Sequence, residues 1–209
     1  MLSKFTLGID TVDARSLTAL SLLNDLKDAC ADLLARKHKN VALLNLYSFI
    51  DICASLAKEG KSSNAETFQS YLRRYATLST WKHYTPYDLW VARSSILHSF
   101  SPLGDHTAKP DGARPIFYFS WPEMREQIED AIQRRGYANF LVIERTDVKF
   151  IAIDAFNSLI QRTEEDPEFA QVFSANAEHL LVDTHFLGLR NELELIEELS
   201  AKARGQSDA

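Results

Sequence analysis

Apolar residues recur at three- and four-residue intervals along the first hundred positions, a period that predicts helices. Leu17, Leu20, Leu23, Ala29, Cys30, Leu33 and Leu34 form one stripe on a helix over 14–37, with Asp13 as its N-cap and basic residues at its end. The stretch "NVALLNLYSFIDICASLAKEG" is apolar almost all round until Gly60, as expected of a helix in the middle of a bundle. Phe68, Tyr71, Leu72 and Tyr75 share a face of a third helix over 64–77, behind Ser and Asn cap candidates. A fourth begins where Thr85 can cap, Pro86 takes the first helical position and Asp88 sits in the dipole-favoured first turn, and it runs to Phe100. The following "SPLGDHTAKPDGARP" has the Pro and Gly density of an exposed loop.

Beyond the loop the period changes. "PIFYFS" is a short β-prone run, and Ser120 and Glu123 have capping-box spacing for a helix over 121–135. "NFLVIERTDVKFIAID" predicts two strands joined around Arg-Thr-Asp, a β-hairpin. Asp154 is then a cap for "AFNSLIQRT", Pro167 opens "PEFAQVFSANAEHLL", and "GLRNELELIEELSAKARG" forms a final acidic helix. No internal repeat or long linker divides the chain. The expectation is a mainly α fold in a single domain over 1–209: a helical-bundle core over 14–103, with a small β-hairpin and C-terminal helices over 115–204 packed on it.

Composition narrows the function classes. At 45% hydrophobic and 25% charged residues, the chain has the make-up of a globular protein rather than a disordered one. No apolar run reaches the length of a signal peptide or a bilayer span, so no membrane association is expected. Cys30 and Cys53 are too few for a disulfide scaffold and lack zinc-binding spacing, which fits a reducing cytoplasm. A net charge of −6 argues against coating nucleic acid non-specifically, so any phosphate chemistry must be local. The basic clusters at 35–40, 71–75 and 133–137 fit solvated helix ends. No glycine-rich phosphate loop, nucleophile elbow or kinase-like signature is present.

The fourth helix carries Arg93, Ser94, Ser95, Ile96, Leu97 and His98 in succession. This resembles the R-x(4–6)-H motif of the HEPN superfamily, the "higher eukaryotes and prokaryotes nucleotide-binding" helical domains. The likeness extends to the order of elements over 14–103: a long helix, an apolar helix containing Asp51, an aromatic helix, then the motif helix and a Pro/Gly loop. It implies a homodimer in which Arg93 and His98 of two subunits meet and cleave RNA without metal or other cofactor. His98 would exchange protons with the ribose 2′-hydroxyl and the leaving oxygen, and Arg93 would stabilise the phosphate in the transition state. Ser94 and Asp51 are the auxiliary positions, although active members commonly carry a larger polar residue where this chain has Ser94. A protein antitoxin is among the partners that such a ribonuclease could have.

The residues themselves permit a second reading. An ideal helix turns about 500° over five residues, leaving Arg93 and His98 about 140° apart around the axis. Asp51 lies in an apolar helix and needs a partner or a proton if buried. A charge-assisted Asp51–Arg93 pair would pin the second and fourth helices together, making Arg93 structural and the protein a non-catalytic interaction or regulatory module with a protein partner. His83 and His106 flank the helix, but no pair among these, His98 and Asp105 has metal-ligand spacing on one helical face, so no metal is expected. The aromatics from Trp81 to Trp121 fit core or interface packing near Trp90 better than base stacking.

Overall fold

The computed structural model of the chain describes residues 14–36, 38–60, 62–77, 83–99 and 114–183. In chain order the elements are α1 (Ala14–Ala35), α2 (Lys39–Leu56), α3 (Asn64–Tyr75), α4 (Pro86–Ser99), β1 (Ile116–Phe119), α5 (Arg125–Arg134), β2 (Leu141–Glu144), α6 (Arg145–Glu165) and α7 (Pro167–Asp183). One 3-10 turn over Pro122–Met124 leads into α5. The fold is mainly α with one small sheet, and no helix among the described residues is long and apolar enough to cross a membrane.

The all-round apolar α2 is enclosed as its pattern requires, with α1, α3, α4, α6 and α7 packed around it. Its Leu43, Leu46, Tyr47, Phe49, Ile50, Cys53 and Leu56 are all buried. One core cluster runs through Leu23 of α1, Ile50 of α2, Leu72 of α3, Leu89 of α4, Ile151 of α6 and Phe173 of α7. Two helix starts are closed by the residues that predict them. The Ser63 hydroxyl accepts from Glu66 N at 3.2 Å, and the Thr85 hydroxyl accepts from Asp88 N at 3.2 Å while Asp88 Oδ2 accepts from Thr85 N at 2.9 Å.

The expected β-hairpin is not formed. β1 pairs with β2 in parallel, Ile116 opposite Leu141 and Phe119 opposite Glu144, with α5 as the crossover between them. Side chains alternate with period two across this pair. Ile116, Leu141 and Ile143 join the main core, whereas Phe119 and Val142 meet Ile132 of α5 on the other face. A parallel pair covered on both faces reads as an unbroken apolar run, which is what "IFYF" and "LVI" are.

The segment expected as the second hairpin strand is the start of α6. Val148, Ile151, Ala152, Ala155, Phe156 and Leu159 are buried at helical spacing, while Phe150 is 60% exposed. Asp154 is therefore inside a helix rather than capping one. Its Oδ2 accepts from the backbone N of Thr77 at 2.7 Å and from the Thr77 hydroxyl at 3.0 Å, tying the end of α3 to α6. The side chain that closes α7 is Asp166, whose Oδ1 accepts from Glu168 N and Phe169 N. Asp13, the loop over 100–113 and the expected final acidic helix lie outside the described residues.

Candidate functional site

The start of α4 is anchored on three sides, which fixes the direction in which the rest of the helix presents its side chains. Asp88, 4% exposed, accepts from Thr85 and from Arg114 Nη2 at 2.7 Å, and Arg114 Nη2 also donates to the His83 carbonyl at 2.8 Å. Burial works to raise the Asp88 carboxyl, but hydrogen bonds from Arg114 and Thr85 outweigh it and hold the group below its ordinary value.

Farther along α4, Arg93 turns toward α2. Its Nε donates to Asp51 Oδ2 at 2.7 Å, and its Nη2 approaches the same oxygen at 2.6 Å. The face of the guanidinium lies 4.9 Å from the centroid of Trp90, which in turn packs on Phe68 of α3 at 5.5 Å. The two charged side chains retain only 21% and 24% of their exposure. Burial raises the Asp51 carboxyl above its ordinary value, and the charge and hydrogen bond of Arg93 offset that rise in part. Asp51, Arg93 and Trp90 thus form one unit clamping α2, α3 and α4.

No family model, curated protein or solved structure matches the chain. Of the four residues expected in a catalytic site, Arg93 and Asp51 are brought into contact and Ser94 is half-buried on the same helix. His98 belongs to α4 by its backbone, and its side chain lies outside the described residues. His83 Nε2 lies 3.3 Å from Arg125 Nη2. His106 and Asp105, weighed with it as metal ligands, are outside the described residues, among which no three His, Cys, Asp or Glu side chains gather as a metal would need. Of the aromatics near the motif, Trp90 and Phe119 are packed, Trp121 is 58% exposed, and Trp81 and Phe100 are outside the described residues.

A cavity of about 300 Å³ lies between the end of α2 and α3, and its charged side chains are largely engaged within the protein, although the buried Tyr71 hydroxyl on its wall has no hydrogen-bond partner among the described residues. Arg74 meets Glu59 at 2.7 Å, Lys58 donates to the Ser62 carbonyl and Ser62 bonds Thr67. The residue that sequence reasoning missed is Arg145, expected in a hairpin turn. It stands at the start of α6 with Nη1 on Ser120 Oγ at 2.8 Å and Nη2 on Asn40 Oδ1 at 3.0 Å. Nothing in the local sequence marks it, because its setting is made by α2 and β1, remote in sequence.

Proposed function

We propose that the protein is a helical interaction module without ribonuclease activity, and that Arg93 serves its structure. The observation that carries this reading is the engagement of the Arg93 Nε and Nη2 with the Asp51 carboxylate. That edge of a guanidinium is one of those able to grip a phosphate with two parallel hydrogen bonds. Here it is committed to a group of opposite charge, which also neutralises the field a phosphate would feel. The HEPN-like order of the first four helices remains part of the proposal, as a scaffold that presents a surface to a protein partner. Large apolar side chains at the surface support this: Trp121 is 58%, Val41 48% and Met124 42% exposed.

The test is incubation of the full chain with single-stranded RNA, together with expression in a growing host. RNA of unchanged length and undisturbed growth are expected. Fragments ending in a 2′,3′-cyclic phosphate that disappear in His98→Ala would overturn the proposal and restore Arg93 and His98 as a catalytic pair.

A further inference from the structure

The carboxyl ends of β1 and β2 lie side by side, and the chain leaves each directly into helical structure, at Pro122 and at Arg145. In sheets with parallel strands this edge is where ligands are bound. Five side chains gather here: Arg145 and two pairs of sequence neighbours, Lys39 with Asn40 and Ser120 with Trp121. Arg145 bridges Ser120 and Asn40. Lys39 precedes Asn40 and Trp121 follows Ser120, and Lys39 Nζ lies 5.6 Å from the centroid of the Trp121 ring. A cavity of about 290 Å³, lined by His38, Lys39, Asn40 and Val41, opens beside them.

No carboxylate lies within ion-pair distance of Arg145 among the described residues. Arg74, Arg93, Arg114 and Arg162 each meet a carboxylate, whereas Arg145 forms no ion pair among the described residues. Both its acceptors are neutral, and its Nε is sealed from solvent without a partner. Burial presses the Arg145 guanidinium below its ordinary value, with only the neighbouring Tyr118 acting the other way. A half-buried cation with neutral partners is costly unless an anion completes it. α2 begins at Lys39 and α6 at Arg145, and neither is closed by a side-chain cap, so their first N–H groups and dipoles favour an anion, with Asp147 in the first turn of α6 offsetting part of that field.

We propose that this edge binds a phosphate monoester whose organic group is a flat ring, with the phosphate on Arg145 and Lys39 and the ring on Trp121. The Asn40 bond lies at the surface, so a phosphate oxygen can replace a neutral acceptor with a charged one, roughly doubling the strength of that hydrogen bond. Trp121, 58% exposed, offers the stacking face. The proposal is independent of the role of Arg93.

Phenyl phosphate titrated into the full chain by calorimetry is the direct probe. Saturable binding with a Kd at or below about 1 mM is expected, with inorganic phosphate weaker by about tenfold or more. Arg145→Gln should weaken phenyl phosphate by at least about tenfold. Because Arg145 also ties β1 to α2, Trp121→Ala is the second variant. Its melting temperature should be unchanged, and its affinity for phenyl phosphate should fall to that for inorganic phosphate. AMP and phosphotyrosine, titrated in parallel, distinguish a nucleotide from a phosphorylated side chain as carrier of the group. Failure of all three organic phosphates to bind, or binding that neither variant weakens, would overturn the proposal.

Discussion

Removing Arg93 tests the clamp most directly. An exposed ion pair contributes up to about 1 kcal/mol, and breaking a fully buried one costs about 3–5 kcal/mol. At 21% and 24% exposure, the Arg93 and Asp51 side chains fall between these limits, nearer the buried one. The pair makes about 2–3 kcal/mol a reasonable cost for Arg93→Ala, and the lost contact with the Trp90 ring adds about 0.5–1 kcal/mol. Urea unfolding of Arg93→Ala, Asp51→Ala and the double variant isolates the coupling, expected at about 1.5–3 kcal/mol. The loss should also depend on pH. The folded Asp51 carboxyl stands above its ordinary 3.8, so the folded state holds that proton more tightly than the unfolded chain does. This group's contribution is therefore greatest at low pH and declines as pH rises from 3.8 through the folded value. Arg93→Ala removes the charge that opposes the rise, so it widens that window, and its stability deficit should grow between about pH 4 and pH 7. A coupling below about 0.5 kcal/mol, or a deficit that shrinks as pH rises, would refute the reasoning.

Asp88 behaves with the opposite sign. Its folded carboxyl lies below 3.8, so its contribution is present above 3.8 and lost as pH falls through the folded value; Asp88→Asn should flatten the acid limb of a plot of urea midpoint against pH below about 4. The helical state of residues 145–154 separates two neighbours: Phe150→Glu should change stability by less than about 0.5 kcal/mol, and Ile151→Ala, fully buried, should cost about 2–5 kcal/mol in thermal unfolding. Burial pushes the Cys30 thiol to about 11 and the Cys53 thiol higher still, so neither should react quickly with a dithionitrobenzoate reagent in the native protein, while both should react on unfolding.

The bundle was legible where one helix face decides the pattern. Phe68, Tyr71, Leu72 and Tyr75 are all buried, and Thr85, Pro86 and Asp88 open α4 as their chemistry requires. The hairpin failed at "TDVKFIAID", where both periods fit. In a strand Val148, Phe150 and Ala152 share a face; in a helix Val148, Ile151, Ala152 and Ala155 do, and only the second leaves Phe150 outside. Length decided it, since the helical period continues through Phe156 and Leu159 far beyond a hairpin strand. The unbroken apolar runs at Ile116–Phe119 and Leu141–Ile143 were the available signal for strands covered on both faces.

Arg93 and Arg145 explain why the candidate chemistry was only partly readable. Arg93 sits five residues from a histidine, a spacing that attracts attention in the sequence, yet its charge is already met by Asp51 from α2. Arg145 follows a strand and precedes Thr and Asp, a turn-like context, yet its guanidinium lies between α2 and the end of β1 with neutral partners. Spacing along a helix reports which side chains share a face. It does not report which elements fold against that face, and the elements facing each arginine decide whether its charge is neutralised or left to attract an anion. If the Asp51–Arg93 pair sets the alignment of α2 on α4 more than it adds net stability, replacing both by apolar residues of similar size, Asp51→Leu with Arg93→Met, should leave the fold within about 1 kcal/mol of the parent, whereas either change alone should destabilise it. An apolar double variant that fails to fold would instead show that the ion pair contributes energy no apolar contact supplies at this crossing.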